Sequence, residues 1–293
     1  MSAPFRATQQ SLFTPTSISG CVIWFDGADT GTLTRSGTTV SAWSSKGSAS
    51  LTATSVGAGS IVYEQYSGKY SLRFNGTNTK MTTGSVTSYG ASATTWIACS
   101  VNLNPATADA SVVFASSSNP ERSIRYTDGT AQIYSLIGST LRYSSNTDNG
   151  IRGFIDTAAS FTAYANGTDV TTSTQAVTYV GGTNQSFQLG QWNIAYLNGY
   201  IMEVVVYNSA LTLTQYQQVE GYLAWKWGFQ GSLSASHPYK NTPVYAAPPF
   251  PLVPYVPYVT NSAVFLPTQI SGCQLWFDAA DLTTFTLSSS NIT

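Results

Sequence analysis

From residue 20 to residue 207 the chain is a succession of short apolar or alternating runs, each stopped by Gly, Asn, Ser or Asp. Cys21–Phe25, Tyr70–Phe74, Thr95–Val101, Ser111–Ala115, Ala131–Ile137, Phe161–Ala165, Phe187–Gly190 and Tyr200–Tyr207 are the clearest of them. They are rich in β-branched and aromatic side chains, which suit a pleated, half-buried surface. Asn75-Gly76, Asp128-Gly129, Asn166-Gly167 and Asn198-Gly199 mark tight turns, because these residues tolerate positive φ. Many short strands with such punctuation predict an all-β sandwich or barrel.

One segment has a different period. In Thr212–Gly228 the residues Tyr216, Val219, Leu223 and Trp227 recur at steps of three and four, which predicts one helix packed on the sandwich. Thr212 with Gln215 forms a capping box, and Gly228 supplies a left-handed C-terminal cap. Trp225 falls off the apolar stripe and is expected at its edge or against the following loop.

Composition then shifts. Seven of the twelve prolines lie between Pro243 and Pro267, interleaved with Tyr, Phe and Val. Such a stretch favours an extended conformation and is expected to lie on a protein surface as an arm or to act as a spacer. Beyond it the opening of the chain recurs: ISGCVIWFDGADTGTL at Ile18–Leu33 is answered by ISGCQLWFDAADLTTF at Ile270–Phe285, with ten of sixteen positions identical. The lead-in recurs as well, Phe13–Ile18 matching Phe265–Ile270. The expected organisation is a lead-in (1–17), a domain (18–243), a Pro-rich arm (244–267) and the start of a second copy (268–293). A lone first strand cannot bury its apolar face, so that copy needs the sheet of a second module or an exposed edge elsewhere.

Charged residues make up only 9% of the chain and the net charge is −1, against about 25% charged in ordinary soluble proteins. Nucleic-acid binding needs clustered Lys and Arg, and polybasic membrane attachment does too; neither is expected. No stretch reads as a membrane span, because the apolar residues 244–267 are broken by proline. No basic segment followed by an apolar run opens the chain, so no secretory signal is visible. Three cysteines without close spacing make no disulfide framework; Cys21, Cys99 and Cys273 read as small hydrophobes on strands.

Several motifs resemble a known group of domains. Trp24-Phe-Asp-Gly-Ala-Asp29, Val40–Gly47 and Gly68–Gly76 resemble the opening of laminin-G-like, concanavalin A-like jelly-roll domains. Ala163–Gly167 and Asn198–Asn208 are similar to a hairpin and a strand of those domains. Val219–Gly228 followed by Ser236–Lys240 is similar to proteins of large DNA viruses and to surface proteins of marine bacteria. The resemblance covers about residues 18–243. It implies a jelly-roll sandwich of two antiparallel sheets with one C-terminal helix, on a virion or particle surface. An acidic residue is common in that family after the Trp of the second motif; Ser44 and Ser45 stand there instead, which weighs against an inherited cation site.

Catalytic chemistry finds little support. Glycosidases need two carboxylates across the scissile bond, and enzymes of this fold carry them on one strand as Glu-x-Asp-x-x-Glu, a run absent here. Glu203 stands among Met202, Val204 and Val205 and is expected to be structural. Asp26 and Asp29 form the nearest acidic pair. They are candidate Ca²⁺ ligands, with capping of the turn after the first strand as the favoured reading; Asp278 and Asp281 repeat them. His237 lacks companions for a zinc site and is expected to pack the loop after the helix. For glycans, which stack on exposed rings, the candidates are Tyr63, Tyr66, Tyr89, Tyr143, Trp192 and Tyr196, all in segments read as loops. Trp192 and Tyr196 are favoured. The expected function is that of a non-enzymatic structural or surface protein, assembling with other subunits through the arm. A carbohydrate-binding lectin or adhesin is the alternative, and a degenerate glycosidase a weaker one. No cofactor is expected.

Overall fold

The computed structural model describes residues 13–86, 93–103, 111–116, 121–127, 130–137, 140–143, 149–173, 186–192, 195–245, 287–288 and 291–292; for 111–116, 121, 127, 130–137, 140–143, 192, 287–288 and 291–292 it describes the backbone alone. The chain divides into two compact units, Met1–Ala247 and Pro248–Thr293. In the second, the described residues are a short antiparallel ladder between Leu287–Ser288 and Asn291–Ile292. The Pro-rich arm beyond Tyr245 and the repeated run Ile270–Phe285 lie outside the described residues.

The first unit begins with β1 (Cys21–Asp26), β2 (Leu33–Ser36), β3 (Thr39–Ser44), β4 (Thr52–Val56), β5 (Ile61–Tyr66), β6 (Lys69–Asn75) and β7 (Lys80–Thr83). It continues with β8 (Ala93–Asn102), β9 (Ser111–Ser116), β10 (Glu121–Thr127), β11 (Thr130–Ile137), β12 (Thr140–Tyr143) and β13 (Gly150–Thr157). Then come β14 (Phe161–Ala165), β15 (Thr168–Asp169), β16 (Phe187–Leu189), β17 (Gln191–Trp192), β18 (Ala195–Tyr196), β19 (Asn198–Tyr207) and the helix α1 (Leu213–Trp227).

Every ladder among them is antiparallel, and the pairings make an antiparallel β-sandwich of jelly-roll type. The front sheet runs β5–β6–β19–β8–β13–β14–β15, with β1 taking the place of β6 along the second half of β19. The back sheet runs β2–β3–β4–β7–β16–β9–β10–β11–β12. A short ladder from β3 to β5 joins the two at one side.

Two apolar layers result. Between the sheets lie Ile23, Phe25, Trp43, Leu72, Phe74, Met81, Trp96, Phe154, Phe187, Val204 and Val206, all fully or almost fully buried. On the other face of the front sheet Trp24, Cys99, Val205 and Tyr207 pack against α1 through Tyr216, Val219, Leu223 and Trp227. The helix starts at the Thr212/Gln215 capping box and ends at Gly228, whose φ of 84° is the left-handed cap. Trp225 lies at the edge of the stripe, half-buried, and its indole N–H donates to the Tyr239 carbonyl at 2.8 Å. A helix covering one sheet face explains why β8 and β19 are buried along nearly their whole length: each has a core on both sides.

The packed part of the unit begins before residue 18 and ends after residue 243. Phe13, Pro15 and Ile18 are buried, and the Tyr207 hydroxyl donates to the Pro15 carbonyl at 2.8 Å. Val244 is also buried, against the helix layer. No helix among the described residues is long and apolar enough to cross a membrane.

Candidate functional site

The densest polar cluster lies under the helix and is centred on Glu203. Side chains alternate along β19, with Tyr200 on the helix face, Ile201 in the inter-sheet core and Met202 on the helix face again. The register then slips between Ile201 and Glu203. This bulge lets Glu203 follow Met202 onto the same face, while Val204 returns to the inter-sheet core. Without the slip, strict alternation would drive a carboxylate into the apolar layer between the sheets.

Glu203 is wholly buried and meets four donors. Trp24 Nε1 donates to Oε1 at 2.6 Å and Trp227 Nε1 to Oε2 at 2.7 Å. The Tyr222 hydroxyl donates to Oε1 at 3.1 Å, and Lys226 Nζ lies 2.7 Å from Oε2. A carboxylate offers about four lone-pair sites, so this one is saturated. Burial raises the Glu203 pKa above the ordinary carboxylate value, against the pull of Lys226. The same burial, with the Glu203 charge adding to it, raises the Cys21 thiol to about 12. Cys99 rises for the same two reasons. Both cysteines are free and buried, so neither is poised as a thiolate.

Asp26 and Asp29 extend the cluster to the surface. Asp26 Oδ1 accepts from the Ala28 N–H at 3.1 Å and from Lys226 Nζ at 2.5 Å. Its Oδ2 lies 3.1 Å from Lys46 Nζ. Asp29 Oδ1 accepts from the Gly31 N–H at 3.1 Å, capping the short 3-10 turn Thr30–Thr32, and its Oδ2 lies 2.9 Å from Lys46 Nζ. The Lys46 hydrogen bond lowers the Asp29 pKa, against a smaller effect of burial. Lys46 also sits 3.9 Å above the Trp24 ring. The two aspartates thus each cap their turn with Oδ1 and hold Lys46 with Oδ2, while Asp26 Oδ1 takes Lys226 as well. Among the described residues no group of three or more His, Cys, Asp or Glu side chains is arranged to hold a metal ion.

A second buried pair fastens the far side of the helix. Glu220 Oε1 accepts from the Gly167 N–H at 2.6 Å, and its Oε2 lies 3.3 Å from His237 Nε2. His237 Nδ1 accepts from the Tyr239 N–H at 3.2 Å. This histidine packs the loop after the helix.

The glycan candidates are scattered. Trp192 and Tyr196 lie on the hairpin β17–β18 but are not cross-strand partners: Gln191 pairs with Tyr196 and Trp192 with Ala195, which puts the two candidate positions on opposite faces of the ladder. Tyr196 is half-buried, and the side chain of Trp192 lies outside the described residues. Tyr63 and Tyr66 lie on strand β5, not in a loop. Ile61 and Tyr63 point into the inter-sheet core, Gln65 on the same face is exposed, and Tyr66 lies on the opposite face against the helix layer. Tyr143 ends β12, again a strand, and Tyr89 lies outside the described residues. Sequence reading missed Tyr70, which is 48% exposed and stacks on Tyr63 at 5.0 Å and 24°. Arg35 lies 5.1 Å from the Tyr63 ring.

No family model matches this sequence, and no curated protein matches it. Among solved structures the chain is similar to Trypanosoma rangeli sialidase in complex with sialic acid: 15% identity over 75% of this chain and 36% of that one, TM-score 0.49. It is similar to domain 4 of AbnA, a GH43 extracellular arabinanase from Geobacillus stearothermophilus, in complex with arabinotriose: 19% identity over 67% of this chain and 95% of that one, TM-score 0.47. It is also similar to the receptor binding domain of botulinum neurotoxin C/D mosaic serotype: 10% identity over 69% of this chain and 51% of that one, TM-score 0.47. The chain thus spans about a third of the sialidase and about half of the toxin domain.

Proposed function

We propose that this chain is a non-enzymatic structural module of a virion or other particle surface, built in tandem and assembling with further subunits. The saturated carboxylate of Glu203 carries the non-catalytic reading. An acid or nucleophile needs a free lone pair or proton facing a substrate, and this carboxylate has spent every site on two indoles, a phenol and an ammonium. Asp26 and Asp29 are likewise committed to lysines and turn N–H groups. The surface-assembly reading draws on the low charge of the chain, on the repeated first strand and on the motif resemblance of residues 219–240. Sedimentation of the full chain and of a chain ending at Ala247 tests it. The full chain forms assemblies, and the shortened one stays monomeric and folded. Equal assembly by both would remove the role given to residues 248–293.

Carbohydrate binding is the second reading, favoured by the Tyr63–Tyr70 stack. Tyr70 presents a flat ring on a rigid hairpin, backed by a second ring and a guanidinium. Rings presented in this way take the apolar face of a sugar. A glycan array with the wild type and Tyr70→Ala decides: selective binding lost on substitution establishes this reading, and an empty array excludes it.

A further inference from the structure

The inter-sheet core is open at one end. Most of its side chains are fully buried, but Val22, Leu51 and Val86 keep 5, 9 and 7% of their surface exposed. These three form the floor of a cavity of about 280 Å³ walled by Ser48, Ser85 and Asn208. The start of β1 builds the opening. Its register slips between Cys21 and Ile23, so Val22 is an extra residue that joins Ile23 on the inter-sheet face instead of alternating with it. The Cys21 and Val22 carbonyls accept from the Ser48 and Ala49 N–H groups at 3.1 and 3.0 Å. A methyl on Gly47 would collide with the Val22 carbonyl oxygen, so this turn closes on the bulge only with glycine.

Asn208 is placed in a similar way. Its N–H donates to the Gly20 carbonyl at 3.0 Å, and a methyl on Gly20 would stand 2.6 Å from its Oδ1. The backbone thus fixes where Ser48 and Asn208 stand and leaves their side chains over. Within the described residues neither of them, nor the Ser85 hydroxyl, enters a hydrogen bond. Ser45, in the same turn as Ser48, spends its hydroxyl on the Trp24 and Gly47 N–H groups at 2.9 and 3.0 Å. A plain packing gap would be apolar throughout; this one has an apolar floor under a rim of two hydroxyls and an amide, and no charged residue in its lining. That pattern suits a neutral sugar ring, with an apolar C–H face and a hydroxyl edge. An anion would find no cation here, and a wholly apolar ligand would bury the amide unpaired. A second cavity of about 320 Å³ adjoins it, sharing Ser48, with Thr16, Ser19 and Lys46 on its walls. Lys46 is held there by Asp26 and Asp29, so it offers no unpaired positive charge. Each cavity stands near the lower end of the about 300–1,000 Å³ usual for small-ligand sites, which gives room for one ring each.

We propose that the two cavities bind a neutral oligosaccharide, one sugar over Val22 and the next beside Lys46, with Ser48 between them. The site is separate from the Tyr63–Tyr70 stack, and it does not rest on the assembly reading.

The test uses the intact chain. It is screened on an array of neutral tetrasaccharides of glucose, mannose, galactose and N-acetylglucosamine, beside their sialylated and sulfated counterparts. The tightest neutral member is then measured by calorimetry. At least one neutral member is expected to bind, with no gain from acidic groups. Ser48→Ala and Asn208→Ala should each weaken binding about 2–10-fold, the range for one hydrogen bond. Ser48→Leu, which plugs the passage between the cavities, should abolish it, and Tyr70→Ala should leave it unchanged. Ser48 and Asn208 are both exposed, so the alanine variants are expected to melt as the wild type does. An array without a neutral binder, a preference for the acidic members, or an affinity untouched by both alanine variants overturns the proposal. Loss of binding on Tyr70→Ala overturns it too and assigns the sugar to the ring stack. None of these outcomes bears on the sedimentation of the chain ending at Ala247, so this proposal and the assembly reading fail separately.

Discussion

At the scale of single residues, two side chains hold the helix to the sheet. Trp227 fills the helix layer and donates to Glu203. Trp227→Ala is expected to cost about 3–5 kcal/mol, the range for emptying an aromatic core site, measured by urea unfolding. Glu203→Gln keeps the shape but turns an NH₂ towards groups that are all donors, so it is expected to cost about 3 kcal/mol. The same variant should show no change in any glycoside-hydrolysis assay, since no turnover is expected before or after. The burial of Tyr216, Val219, Leu223 and Trp227 was legible in the sequence, because helical spacing states it directly. The partners of Glu203 were not. Trp24 lies 179 positions from Glu203, and Asp26 lies 200 from Lys226. Pairing at that range is fixed by strand order, about which the local pattern of one sequence is silent.

At the scale of elements, the bulge in β19 and the turn after β1 decide where the charges go. A period-two pattern is easily read, but a single inserted residue leaves it looking intact, so the slip before Glu203 had no sequence signal. The turn was easier, since Asp26 and Asp29 are spaced to accept N–H groups two residues on. With both of their other oxygens on Lys46, and Lys226 sharing the capping oxygen of Asp26, neither EDTA nor added Ca²⁺ is expected to move the melting temperature; a Ca²⁺-dependent rise of several degrees would refute this. The ion pair has a pH signature. Lys46 holds the Asp29 pKa below its ordinary value of 3.8. Its contribution is therefore present above that value and is lost as the pH falls through the folded-state pKa. The Asp29 carboxylate is 39% exposed, so solvent screening keeps the pair within about 1 kcal/mol. Melting curves from pH 5 down to pH 2 should show a shallower loss for Asp29→Asn than for the wild type.

At the scale of the whole molecule, the sandwich and its single helix were legible from strand length, turn residues and one change of period. The limits of the first unit were less so. Phe13 and Val244 flank the sequence-derived domain and are both buried in the helix layer, because a terminal apolar residue looks alike in a linker and in a core. A chain ending at Ala247 is expected to melt as one cooperative unit. Ending it at Pro243 removes the Val244 side chain and should lower the midpoint by ~3–10 °C, following about 1.5–3 kcal/mol for one buried valine. The Glu203 cluster has a further consequence, in time. Its indoles come from β1 and from the end of α1, so the cluster is complete only after residue 227 has been made. Contacts of such long sequence separation form late and slowly, so during synthesis the indole of Trp24 waits for its carboxylate and the carboxylate in turn waits for the helix.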